Sequence, residues 1–177
     1  MERRKLGVTP DQIRATDNST AGGMSSPYQV PLYGQDDYLG LAANAKHKAN
    51  WYFEMGDFDE AWKAHMKQQR YYLLHANKYG FTPEHTVSLF STVDESLANI
   101  LRLEGKHKDA LVHMIYCVAG ARSPSKRVLK KLPAYFNRAK LHNVSFSDVE
   151  ELVLQQQPLA DMRAIKDVVA GWLTQQV

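Results

Sequence analysis

The residues that most clearly indicate a binding function are the cations of residues 122–142. This segment contains no Asp or Glu. If its helix continues past Pro133, four of these cations would share one face, with apolar side chains on the other. Nucleic-acid phosphates are neutralised by clustered cations, so the four form a candidate patch for nucleic acid or an acidic partner. The alternative is a solvated helix face whose opposite side is core. The four cations are Arg127, Lys130, Lys131 and Arg138.

The residue types that bind metals do not form a complete set. His113 and Cys117 lie one helical turn apart and could supply half of a soft metal site, but no second pair accompanies them. Cys117 is better explained as a buried structural residue. Acidic residues gather near Gly56, where Asp57 and Asp59 are better explained as residues that cap a helix and complement its dipole. We therefore predict no metal site and no cofactor.

Catalytic signatures are missing from the sequence. It has no glycine-rich phosphate loop, no nucleophile elbow and no His-Glu-x-x-His pair. Turns, helix caps and exposed surface account for its polar residues. We therefore predict that the chain is not an enzyme, with a catalytic set assembled from distant residues as a third alternative.

The elements that must position these residues are helices. From residue 39 onward apolar residues recur at gaps of mainly three and four, and no alternating strand pattern or Asn-Gly hairpin signal accompanies them. The sequence predicts an all-α fold with about seven helices. The first four predicted helices are 39–55, 58–79, 83–104 and 107–119. A fifth is capped by Ser123-Pro124 and is kinked or split at Pro133. A sixth begins with a capping box at Ser147–Glu150, and a seventh begins at Pro158.

Two stretches of this helical region are similar to each other. One runs from Ala49 to Ala61 and the other from Ala98 to Ala110; both read Ala-Asn, then Gly seven residues after the first alanine, then an acid and a second alanine. Small residues let two helix axes approach closely, and glycine permits a tight turn. Each stretch is therefore predicted to form a helical hairpin.

This pattern resembles the tetratricopeptide repeat, a family of stacked antiparallel helical hairpins. The matching residues are Ala49, Tyr52, Gly56, Asp57, Phe58 and Ala61 in the first copy, and Ala98, Leu101, Gly105 and Ala110 in the second, where His107 replaces the turn aromatic. The copies are 49 residues apart, against about 34 in the family, so the resemblance implies hairpins with longer arms. It covers about residues 41–120 and implies two tetratricopeptide-like hairpins closed by a C-terminal three-helix segment. The alternative is an unrelated helical bundle.

The resemblance also implies a partner-binding groove, because in that family the first helix of each hairpin lines a concave surface that binds peptides. Carried over by position, the groove residues are Lys46, Asn50, Phe53, Glu95, Asn99 and Arg102. Lys46 and Asn50 resemble half of the family's clamp for a peptide carboxylate, which needs a cation and amide donors. The alternative is that these are ordinary exposed polar residues.

Composition divides the chain into an arm and a domain. Residues 1–38 are dense in Gly, Ser, Thr, Asn and Pro and are predicted to form an extended or flexible N-terminal arm. Residues 39–177 are predicted to form a single helical domain, with the hairpins over 39–120 and the closing helices over 121–177. The arm's apolar patch, Tyr28–Tyr33, would dock either on its own domain or on a partner.

Bulk properties narrow the class of function. The 177 residues are 44% hydrophobic and 23% charged, as in globular proteins, and the net charge of +3 is too small to establish a nucleic-acid partner. No apolar run reaches the roughly 18 residues of a membrane span, and the charged N-terminus lacks the apolar stretch of a secretory signal. We expect a cytoplasmic protein without a membrane partner. Its predicted function is non-enzymatic binding of another protein, as an adaptor, assembly factor or inhibitor of a larger machine; the alternative is a nucleic-acid-binding regulator that uses residues 122–142.

Overall fold

Capping residues in the sequence mark the ends of the first two helices. A computed structural model describes residues 37–142 and 144–174, and within them α1 is Tyr38–Glu54 and α2 is Phe58–Tyr79. The carboxylate of Asp37 caps α1 by accepting a hydrogen bond from the Gly40 amide at 2.9 Å. Asp57 caps α2 in the same way, accepting from the Glu60 amide at 3.2 Å. Gly80 ends α2 in the left-handed conformation, at a φ of 63°, which glycine adopts at little cost.

The second pair comprises α3, Pro83–Leu103, and α4, His107–Gly120. The Thr82 hydroxyl caps α3 by accepting from the His85 amide at 3.3 Å. Gly120 ends α4 where α3 passes closely: a Cβ at this position would lie 3.0 Å from Val87 Cγ1 and 3.1 Å from Ser91 Cβ. Glycine at the end of α4 therefore permits the two helices to meet.

The C-terminal region follows the prediction in type but not in every boundary. Its helices are α5 (Lys126–Leu129), α6 (Leu132–Ala139), α7 (Phe146–Gln156) and α8 (Met162–Thr174). The predicted fifth helix is split, because Pro133 suits the first turn of a new helix, α6, rather than the middle of an old one. Ser125, rather than Ser123, caps α5, accepting from the Val128 amide at 3.3 Å.

Two predicted helix starts were wrong. The capping box of α7 uses Ser145 and Asp148, not Ser147, and this earlier start brings Phe146 against Phe136 with ring centroids 5.7 Å apart. Pro158 precedes α8 instead of opening it. The Asp161 carboxylate accepts from the Arg163 and Ala164 amides at 2.7 and 3.2 Å, and an aspartate is a far better capping residue than the glutamine before Pro158.

The core is built around α4. Every residue from Ala110 to Gly120 is buried except His113, so α4 is apolar on all sides, as a central helix must be. It packs against α3 on one side and against α6, α7 and α8 on others, while α1 packs chiefly on α2 and α2 on α3. None of the described residues lies in a strand, and the predicted all-α fold is confirmed. Residues 1–36, including the apolar patch Tyr28–Tyr33, lie outside the described residues.

Candidate functional site

The two predicted hairpins have the same turn. Gly56 and Gly105 both adopt a φ of 76°. In each turn the residue after the glycine donates its amide hydrogen to a carbonyl five residues earlier, which closes the end of the preceding helix. These bonds run from Asp57 to Tyr52 at 2.9 Å and from Lys106 to Leu101 at 2.8 Å.

The four alanines of the sequence repeat are fully buried. Ala49, Ala61, Ala98 and Ala110 are each 0% exposed. They lie one in each of α1 to α4, the helices that pack as two pairs, and a larger side chain at a fully buried position would overpack its surroundings. The repeated residues therefore serve the scaffold, and a functional surface must come from other positions.

The first-copy groove residues lie on α1. Lys46 and Asn50 are exposed, so they are available to a ligand. Phe53 is half-buried and packs against Phe58, the first residue of α2, with ring centroids 5.6 Å apart. This part of the predicted groove is thus a short polar surface beside a packed aromatic pair.

The second-copy groove residues make contacts within the chain. Arg102 donates two hydrogen bonds to Asn99 Oδ1, at 3.1 and 2.7 Å. Glu95 accepts from Arg127 Nη2 at 2.8 Å and from Lys131 Nζ at 2.7 Å. Burial raises the pKa of Glu95, but the cations of Lys131 and Arg127 outweigh it and hold that pKa below its usual value. Glu95 is therefore ionised and joined to the C-terminal region.

The four cations of the candidate patch are not on one continuous helix. Arg127 is in α5, Arg138 is in α6, and Lys130 and Lys131 lie in the break between them. Arg127 and Lys131 are paired with Glu95, whereas Lys130 is exposed beside an apolar groove and Arg138 lines a separate pocket. One predicted groove residue thus partly neutralises the predicted patch.

A buried polar cluster joins α2, α3 and α4. Asp94 is 1% exposed; its Oδ1 lies 2.6 Å from His113 Nδ1, and its Oδ2 accepts from Gln69 Nε2 at 3.1 Å. The Trp62 ring meets the edge of the His113 ring at a centroid distance of 5.5 Å. The partner of His113 is therefore Asp94, which the sequence analysis did not single out.

Cys117 lies close to this cluster but is buried. Burial, together with the nearby negative charges of Glu95 and Asp94, raises the pKa of its thiol to about 12. The thiolate that metals and electrophiles require is thus strongly disfavoured. Among residues 37–142 and 144–174, no group of three His, Cys, Asp or Glu side chains could hold a metal ion.

An apolar groove of about 680 Å³ lies between the α5–α6 segment and α7. Its lining includes Val118, Leu129, Leu132, Pro133, Phe146, Val153 and Leu154. Leu129 is 44% exposed and Leu154 is 69% exposed, so both leave large apolar surfaces in water. Lys130 and Glu150 also line the groove and supply one charge of each sign. The sequence reading missed this groove because its walls are separated along the chain by more than a helical turn.

Comparisons of the chain with protein-family models, with curated proteins and with solved structures give no match. Within the described part of the chain, no helix combines the length and the apolar character needed to cross a membrane.

Proposed function

We propose that the chain is a non-enzymatic protein-binding module, acting in the cytoplasm as an adaptor, assembly factor or inhibitor. The observation that carries the proposal is the apolar groove between the α5–α6 segment and α7, in which Leu129 and Leu154 are 44% and 69% exposed. Grooves of this kind bind ligands by removing apolar surface from water.

The occupant that suits the groove is a short amphipathic helix of a partner protein. Two helical walls and an apolar floor at Val118 are the arrangement that receives the apolar face of a third helix. Lys130 and Glu150 would then pair with an acidic and a basic residue of that helix and fix its direction.

The hairpins supply the rigid support for this surface. Tetratricopeptide-like packing is part of the proposal, and it is supported by the two equivalent glycine turns and the four fully buried alanines. The exposed Lys46 and Asn50 offer a second, polar contact surface on α1. Nucleic-acid binding ranks lower, because two of the four candidate cations are already paired with Glu95.

The test compares the two exposed leucines of the groove with an exposed leucine elsewhere on the molecule. The double variant Leu129→Gln/Leu154→Gln removes the apolar surface of the groove, and Leu73→Gln removes a leucine of α2 that is 42% exposed. Helical peptides selected against the chain from a displayed library should lose at least about tenfold in affinity for the double variant, equal to about 1.4 kcal/mol. They should bind Leu73→Gln as tightly as the unchanged chain.

Two results would overturn the proposal. The first is a set of selected helices that bind the double variant undiminished. The second is a pull-down from cells in which nuclease treatment removes every captured protein, because the captured contacts would then depend on nucleic acid.

A further inference from the structure

A second concave site lies where the α3–α4 turn meets the end of α6. It has a volume of about 410 Å³. Cations and histidines dominate its lining, which includes Lys106, His107, Lys108, Arg138, Lys140 and His142. Asp109 is the one acid of that lining. The cations come from two segments about 30 residues apart in sequence, so the concentration of positive charge arises from the fold.

The N-terminus of α4 opens at this pocket without a side-chain cap. Lys106 occupies the capping position and makes no capping hydrogen bond, as Lys131 does at the start of α6, whereas side chains cap α1, α2, α3, α5 and α7. The first amides of a helix have no acceptor within the helix, and the helix dipole makes that end positive. The backbone thus adds hydrogen-bond donors to the cationic lining.

The charges of the pocket are only partly neutralised within the chain. Lys106 Nζ lies 3.1 Å from Glu104 Oε2, and Arg138 donates to the Ala134 carbonyl at 3.0 Å, a contact that leaves its charge uncompensated. Lys108 and Lys140 are exposed at the two sides of the pocket. From these charges, which two separate segments bring to one pocket, and from the uncapped helix end, we infer that the pocket binds a phosphate-class dianion.

A phosphate group suits the arrangement better than a carboxylate. Its three terminal oxygens can accept at once from helix amides and from cations on both sides, as at other helix N-termini that bind phosphate. The group could be free phosphate or a phosphate ester on a partner protein. The two sources share the chemistry of the site and differ in what surrounds the phosphate.

The test is a titration of the full chain at constant ionic strength, monitored by the NMR signals of its backbone amides. Inorganic phosphate and a phosphoserine peptide are added separately, with chloride as the reference. We expect saturable shifts at the amides of His107, Lys108 and Asp109. Lys108→Gln/Lys140→Gln should weaken binding about tenfold or more, whereas Lys48→Gln/Lys67→Gln, an equal charge change at exposed positions of α1 and α2, should not.

The titration separates the possible outcomes. Equal affinities for the two probes assign the pocket to the free anion, and tighter binding of the peptide assigns it to a phosphorylated partner. Shifts that do not saturate, that appear equally in chloride, or that survive in Lys108→Gln/Lys140→Gln overturn the inference. The apolar groove takes no part in this experiment, so a failure here leaves the proposed function standing.

Discussion

At the scale of single residues, Asp94 stands out as a buried acid. It is a carboxyl group with 1% exposure between three helices. Burial raises its pKa, and the hydrogen bonds from His113 and Gln69 oppose that effect only in part. Ionisation of this buried acid therefore costs stability, while its hydrogen bonds connect α3 to α2 and α4.

The raised pKa of Asp94 predicts a specific dependence of stability on pH. Between the usual carboxyl pKa of about 4 and the higher native pKa, the folded chain binds more protons at this site than the unfolded chain. The contribution of Asp94 to the free energy of unfolding should therefore fall as pH rises through that window. Asp94→Asn keeps an oxygen acceptor for His113 and should remove this contribution.

The measurement is urea unfolding of the unchanged chain and of Asp94→Asn at several pH values from about 4 upward. Relative to the variant, the unchanged chain should lose stability with rising pH. Asp59→Asn, a change of an exposed acid in the first turn of α2, serves as the control. A constant difference between the chain and Asp94→Asn would show that Asp94 titrates at the same pH in the folded and unfolded states.

At the scale of elements, local signals were sufficient for most helices. The bounds of α2 agree with the prediction at both ends, because Asp57 and Gly80 are strong start and stop residues. The starts of α7 and α8 were wrong where two capping candidates stood a few residues apart. Choosing between them depends on tertiary contacts such as Phe136–Phe146, which no local pattern contains.

The candidate sites were harder to predict for the same reason. Glu95 meets Arg127 and Lys131 across 32 and 36 residues, and Asp94 meets His113 across 19. The tetratricopeptide resemblance placed Glu95 in a groove, and the residue types suggested that the cations formed an open patch. The fold brings Glu95 against Arg127 and Lys131. The two cations lower the pKa of Glu95, and Glu95 partly neutralises their charge.

The hairpin crossings give the prediction that belongs to this scale. Ala49→Leu and Ala61→Leu place three additional carbons where the native side chain has no exposed surface, and each should cost about 1–3 kcal/mol of unfolding free energy. Ala170→Leu, at an exposed position of α8, should change stability little, because Ala and Leu have similar helix propensity. Thermal melting of the three variants makes the comparison. Equal melting temperatures would mean that the helix axes at the crossing can separate without cost.

At the scale of the whole molecule, the ion pairs of Glu95 connect the N-terminal helices to the C-terminal helices. The N-terminal helices pack in succession, α1 on α2 and α2 on α3, whereas α6, α7 and α8 all pack on α4. Glu95 on α3 contacts the α5–α6 segment directly through Arg127 and Lys131. The same contacts lower the positive charge that this segment presents to a partner.

Glu95→Gln therefore tests how far the pairing with Glu95 limits nucleic-acid binding by this segment. The partners Arg127 and Lys131 are 66% and 41% exposed, so loss of the ion pairs should cost only about 0.2–1 kcal/mol and leave the fold intact. Both cations then lose their counter-charge. If residues 122–142 contact nucleic acid, affinity for oligonucleotides of any sequence should rise, and the change should disappear at high salt.

For a protein-binding module we expect a different pattern. The unchanged chain should bind oligonucleotides negligibly at physiological salt, Glu95→Gln should acquire only weak, salt-sensitive binding, and the affinity of groove-selected helices should not change. Arg127→Gln/Lys130→Gln/Lys131→Gln provides the opposite charge change. If the unchanged chain already binds nucleic acid and this triple variant reduces the log–log salt slope by up to about three, the α5–α6 segment is a nucleic-acid surface and Glu95 attenuates its affinity.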